Sequence, residues 1–304
     1  QLPLSIGVVE GKKLRCQYHG WAFDPTGKLT DVAHDLFGLK LPGCRVRPYP
    51  IKEKYGLIWV FFGDAENAQK VSMPAFPELD LPAGERWACV PIDFTVKAHH
   101  SMVIDNVSDF THAFLHRRFK PFWDAKLTKL ETNEKGVFVG YDTNVGYGGL
   151  ASKFVDRSRV DTNHMELGYE YPYQWSNTDD QIKHLLSVLP IDAQTTRTFY
   201  LFHFKSFKVP FLPARLPRRL MEPLLRVANR LHITPLLEED KIACEAEQQG
   251  YNEHFDAPVA EISPAVHAFQ ALTIKRWEQH LAREEAKKVV STGALVREAK
   301  QEAS

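Results

Sequence analysis

Cysteine is scarce in this chain. Cys16, Cys44, Cys89 and Cys244 are the only four in 304 residues, and no two stand close together. That spacing argues against a disulfide framework and favours a reducing compartment, for which the cytoplasm is the expectation. Net charge is missing too, since 38 Lys and Arg balance 38 Asp and Glu. Without a global positive field, neither nucleic acid nor an acidic membrane is expected as the main partner. Long apolar runs are absent. The strongest, Gly56 to Phe62, is far too short to span a bilayer. No Gly-x-Gly-x-x-Gly occurs, so no dinucleotide-binding turn is expected. The chain opens at Gln1, without a Met, in what reads as the middle of a fold. Any targeting segment is therefore expected upstream.

What is present is ordinary globular material, 44% hydrophobic and 25% charged, enough for one large or two modest domains. Residues 1–66 read as short strands and tight turns, with a turn at Pro25-Thr26-Gly27-Lys28 and a buried strand over Gly56 to Phe62. Residues 67–90 form a polar connector containing Pro74, Pro77 and Pro82. Trp87 to Asp93 reads as a strand and Ala98 to Phe114 as a helix. Strand patterns recur over Gly136–Asp142, Met165–Tyr171, His184–Pro190 and Thr196–Phe204. Helical patterns come next over Leu220–Leu231, Leu237–Tyr251 and Ala265 to about Lys288, then a charged tail over 291–304. The expected class is α+β: a small all-β domain, then a larger antiparallel-sheet-plus-helix domain over 91–290.

Two constellations carry chemistry. Cys16-Gln17-Tyr18-His19 is a Cys-x2-His unit on a loop between strands, and a thiolate and an imidazole on one tight turn can share a metal or cluster. A buried Cys beside an exposed His is the plain alternative. A zinc site would need two further ligands, of which Cys44 offers at most one. Farther on, His112 and His116 stand at i and i+4. On a helix both imidazoles project from one face and can bind one metal. The residues between them are Ala113, Phe114 and Leu115, so the catalytic Glu of a zinc-protease motif is absent. The alternative is a pair of ordinary histidines among 13. Glu238-Glu239-Asp240 suits the start of a helix, where acids complement the dipole. Phe114, Phe119, Phe122 and Trp123 either line an apolar pocket or pack in the core.

Taken in order, these segments resemble the Rieske-type non-haem iron oxygenases. Cys16-Gln17-Tyr18-His19-Gly20-Trp21-Ala22-Phe23-Asp24, with Gly27 beyond, is similar to the second half of the Rieske motif. Leu2-Pro3-Leu4-Ser5 with Gly7 is similar to the segment that comes after the first half. The resemblance implies a [2Fe-2S] cluster with Cys16 and His19 as two of its four ligands. It places the other two just ahead of Gln1, so the chain reads as N-terminally truncated. Asn106, Asp109, His112 and His116 resemble the signature of the family's catalytic domain, although three residues separate the histidines here where family members usually have four. Leu236 to Gln248 resembles the late helix that ends its acidic doublet in a ligand. The resemblance thus implies mononuclear Fe(II) on His112, His116 and Asp240, a 2-His-1-carboxylate set with open positions for O2. Glu239 is the nearest competitor for the third place, and His99 and His100 lie outside the motif. It implies that Asp109 couples His19 of one protomer to an iron-ligating His of its neighbour, and hence a homotrimer. A separate reductase or ferredoxin would supply electrons, using NAD(P)H only indirectly, and the substrate would be a hydrophobic aromatic or polycyclic compound. The competing expectations are a Rieske-type electron carrier and an inactive structural relative.

Overall fold

Turn residues interrupt the first unit, Gln1–Asp80, every few positions, and its strands are correspondingly short. In the computed structural model the described residues are 3–32, 40–116, 121–144, 163–171, 173–205, 216–255, 257 and 260–302, with side chains described to 286. Strands β1 (Val8–Glu10), β2 (Lys13–Arg15), β3 (Ala22–Phe23) and β4 (Leu29–Asp31) form an antiparallel meander. Gly27 adopts φ +78, and a Cβ there would lie 2.0 Å from the Val46 carbonyl oxygen, so only glycine closes this turn. Strands β5 (Ile51–Lys54) and β6 (Leu57–Val60) form a separate hairpin, followed by the single-turn helix α1 (Pro77–Asp80). The expected buried strand over Gly56 to Phe62 is corrected here. Ile58 is 74% and Phe62 67% exposed, because in a two-stranded ribbon only one side of β6 has anything to pack against.

The second unit, Leu81–Ser304, is one seven-stranded antiparallel sheet with helices. Its strands are β7 (Ala88–Val96), β8 (Trp123–Thr132), β9 (Gly136–Asn144), β10 (Asn163–Glu170), β11 (Tyr173–Thr178), β12 (Ile182–Asp192) and β13 (Thr195–Phe204). Strands β8 to β13 run as a meander, and β7 pairs with β13. Consecutive strands β7 and β8 are therefore the two opposite edges of the sheet. The chain between them must cross a whole face, about 29 Å at the usual strand spacing. That crossover contains α2 (His100–Ser108) and both histidines of the pair.

Helices α3 (Arg218–Ala228), α4 (Thr234–His254) and α5 (Pro264–Glu302) complete the unit, with a π-helical turn over Asn229–Ile233 between the first two. Helix α5 continues to Glu302 where a tail was expected after Lys288. The main core joins Met102, Val103 and Ile104 of α2, Leu237 and Cys244 of α4, and Phe269 of α5 to the inner face of the sheet. On α4, Asp240, Cys244 and Gln248 recur every four residues and so share one face. This face meets α2: Gln248 Oε1 accepts from the His99 N–H at 2.8 Å, and Glu245 Oε1 from the Lys97 N–H at 2.9 Å. Two amides at the entry to α2 are thus satisfied by α4, which fixes the pairing of the two helices.

Candidate active site

The histidine pair is not on an α-helix. Helix α2 stops at Ser108, His112 lies in the 3-10 turn Thr111–Phe114, and His116 comes just after it. The cause is Asp109. Its Oδ1 accepts from the Thr111 N–H at 2.8 Å and its Oδ2 from the Thr111 hydroxyl at 2.6 Å, a local turn that competes with helix continuation. The tighter turn still brings the two rings together, with centroids 5.1 Å apart.

His112, His116 and Asp240 converge: each offers a ligand atom within 4.8 Å of the others, the one such three-residue group among the described residues. Asp240 Oδ1 lies 3.2 Å from His116 Nε2 and 3.6 Å from His112 Nε2, yet it is buried and makes no well-formed hydrogen bond. Buried polar atoms seldom stay unsatisfied, so two imidazole nitrogens and a carboxylate oxygen facing one point fit a divalent metal. Glu239 does not join the three. Its Oε2 sits 2.9 Å from His116 Nδ1, on the far side of the ring, where it fixes the ring's orientation with Nε2 toward Asp240. Burial pulls the His112 pKa down, against the opposing pull of Asp240. At His116 burial acts the same way, but the close carboxylates of Asp240 and Glu239 outweigh it and raise the pKa.

The neighbouring histidines take other work. His99 Nδ1 accepts from the Ser101 N–H and contacts its hydroxyl at 2.8 Å, capping α2. Asp109 has both oxygens on Thr111, and neither histidine of the pair is its side-chain hydrogen-bond partner among the contacts of the described residues. A buried polar chain, not anticipated from the sequence, supports the end of α2. His184 Nδ1 accepts from the Ser176 hydroxyl at 2.7 Å, and its Nε2–H donates to Gln174 Oε1 at 3.0 Å. Gln174 Nε2 then donates to the Val107 carbonyl at 3.2 Å. Burial holds His184 down at about 4, so it stays neutral.

Beside the trio opens a cavity of about 1170 Å³ whose lining includes His116, Phe114, Phe122, Trp123, Leu127 and Tyr141. Phe122 meets both imidazoles edge-on, at 5.2 and 5.9 Å. The aromatic cluster read from the sequence therefore lines a pocket, save Phe119, which lies outside the described residues.

In the first unit, Cys16 and His19 share one tight turn, closed by Gly20 N–H to the Cys16 carbonyl at 3.1 Å. Arg15 pins that turn by donating to the Gly20 carbonyl, Glu10 and Asp31. His19 is exposed and Cys16 half-buried. Among the described residues no third ligand stands near them, which leaves zinc without support and supplies only half of a [2Fe-2S] ligand set. All four cysteines are free.

Residues 96–284 match the family model of the vanillate O-demethylase oxygenase C-terminal domain, and residues 1–36 match the Rieske [2Fe-2S] domain. The chain belongs to the Rieske non-haem iron oxygenases. It is 42% identical over 282 residues to 4beta-methylsterol monooxygenase of Methylococcus capsulatus, covering 92% of this chain and 76% of that protein. It is 30% identical over 139 residues to the dicamba O-demethylase oxygenase component of Stenotrophomonas maltophilia, 45% of this chain and 38% of that one. A crystal structure of dicamba monooxygenase bound to 3,6-dichlorosalicylic acid has the same fold, with TM-score 0.71 at 19% identity over 93% of this chain and 84% of that one. This Rieske oxygenase is thus an oxidoreductase of mixed helix and antiparallel sheet. Among the described residues no helix is long and apolar enough to cross a membrane.

Proposed function

We propose that this Rieske oxygenase is a terminal monooxygenase that hydroxylates a hydrophobic polycyclic substrate of the methylsterol type, at mononuclear Fe(II) held by His112, His116 and Asp240. The observation that carries the reading is the convergence of those three side chains, with Asp240 Oδ1 buried and without a well-formed hydrogen bond. Iron bound there supplies O2 activation, the one chemistry that these side chains lack. The protein's contribution is positional. With the metal bound, His112 and His116 would present neutral nitrogens and Asp240 a single negative charge, while Glu239 holds the His116 ring by its Nδ1–H. Phe122, edge-on to both rings, limits access of water, and the apolar cavity beside His116 receives the substrate. Its volume exceeds the usual range for small-molecule sites and suits a polycyclic compound better than a single ring. The relative at 42% identity, named for a 4beta-methylsterol, points the same way.

Cys16 and His19 are assigned to a [2Fe-2S] cluster as two of its ligands, fed by a separate reductase or ferredoxin. Asp109 is assigned as the bridge to the neighbouring protomer's His19 in a homotrimer. Its carboxylate oxygens each keep a second lone pair beyond the contacts with Thr111. The test is metal analysis with turnover. The protein should hold iron beyond that of the cluster, and with a reductase and NAD(P)H it should convert a methylsterol to a product carrying oxygen from labelled O2. Unchanged O2-dependent turnover in His112→Ala would sink the assignment. Iron confined to the cluster would favour the electron-carrier reading.

A further inference from the structure

Helix α3 has one apolar side too many. Met221 and Leu225 are buried against Ala88, Val90 and Phe204. Leu220, Leu224, Val227 and, one turn on, Leu231 are 56, 51, 57 and 57% exposed. At about 100° per residue Leu220, Leu224 and Val227 fall within an arc of about 60°, a stripe along α3, and Leu231 follows in the π-helical turn. The buried pair lies about 110° to one side of the stripe. Arg219 and Arg226 lie about 120° to the other, and Arg230 follows in the π-helical turn. The outward half of α3 is thus a leucine row beside an arginine row, directly opposite the face that holds the helix to the sheet.

We infer that this face docks on the surface of an anionic lipid bilayer, with the leucine row in the acyl boundary and the arginine row among the phosphates. Charge complementarity decides for this occupant. Residues 218–233 hold four Arg and one acid, Glu222, in a chain of zero net charge. Glu222 is already engaged by Arg218 at 2.9 Å, and no ion pair reaches Arg219, Arg226 or Arg230 among the described residues. A second copy of the chain seated on the stripe about a twofold axis would bring like-charged rows together and bury arginines without acid partners, which is costly; the head-to-tail contacts of the proposed homotrimer are a separate case, read by the oligomeric-state arm of the test. Lipid phosphates supply the missing anions without that cost. The stripe ends at Leu231, nine residues before Asp240 in the sequence. The docked face would therefore bring the iron site near the phase in which a methylsterol dissolves. That last step rests on the proposed substrate, whereas the docking does not.

The experiment is co-sedimentation of the protein with sterol-free vesicles, either zwitterionic or containing an anionic phospholipid, across a salt series. Binding is expected only with the anionic lipid and should weaken as salt rises. The triple variant Arg219→Gln, Arg226→Gln, Arg230→Gln should lose affinity on the order of a hundredfold. Leu224→Ser, Val227→Ser, Leu231→Ser should lose it as well, while both variants keep the parent's melting temperature and its turnover of detergent-dispersed substrate. Equal binding of the parent protein to both vesicle types, or to neither, overturns the inference. So does a leucine variant that still binds vesicles but changes oligomeric state, because the stripe would then belong to a second copy. Failure on methylsterols in detergent would count against the substrate and leave the vesicle result standing.

Discussion

Asp240 and Glu239 are neighbours in the sequence with separate tasks. Asp240 faces both imidazoles, whereas Glu239 touches only the far nitrogen of His116. Asp240→Ala should abolish stoichiometric binding of Fe(II), or of Co(II) as a spectroscopic stand-in. Glu239→Ala should weaken it by about 10- to 100-fold, and Glu239→Gln, which keeps an acceptor, by less. Equal losses in Asp240→Ala and Glu239→Ala titrations would contradict this division. Because His116 is easier to protonate than an ordinary histidine, metal must displace a proton there. Metal affinity should therefore rise with pH through the range just above the usual histidine value, as isothermal titration in buffers of different ionisation enthalpy would show. A second buried acid acts on stability. Burial pushes Asp105 up to about 7, partly offset by the hydrogen bond from Gln270. Its folded pKa exceeds its unfolded one, so the folded state is favoured below pH 4 and loses stability as pH rises from about 4 to 7. Asp105→Asn should remove that decline and melt a few °C higher than the parent at pH 8.

At the scale of elements, the polar chain through β11 and β12 ties the last turn of α2 to the sheet. Gln174→Leu would strand the His184 Nε2–H and the Val107 carbonyl in the interior. The expected loss is about 1–3 kcal/mol by denaturant unfolding, together with lower iron occupancy. Strand β11 also shows why part of the sheet was illegible in the sequence. Its buried positions are Gln174, Ser176 and Thr178, so its period-2 pattern runs with polar residues inward, the reverse of the usual signal. Strand β8 is an edge with two register shifts and almost no buried residue, and it offered no pattern either. The long alternation of β13 and the apolar spacing of the last helices were readable, because packing there obeys the ordinary periods. For the site, the residue types and their order were legible in the sequence. The break at Asp109 was not, since a two-residue turn made by a side chain leaves no periodic trace.

For the whole molecule, the proposed bridge from His19 to Asp109 would cross between protomers, and that is testable without a structure of the assembly. His19→Ala and Asp109→Asn should each abolish coupled turnover. Co-expressed, they should restore about a quarter of it, because in a randomly mixed ring one interface in four pairs an intact donor with an intact acceptor. No recovery at all would mean that electrons stay within one chain.

The crossover from β7 to β8 has a kinetic consequence. His116 meets Glu239 across 123 positions of sequence, after the whole meander has been laid down between them. Such a contact closes late in folding, since the loop entropy is lost before the contact forms. Iron at this junction should accordingly leave the refolding rate nearly unchanged and slow unfolding by most of its binding free energy. Stopped-flow chevrons with and without metal should share a folding limb and diverge on the unfolding limb. The proposed iron centre would then also act as the clasp that keeps the sheet and its helices from opening.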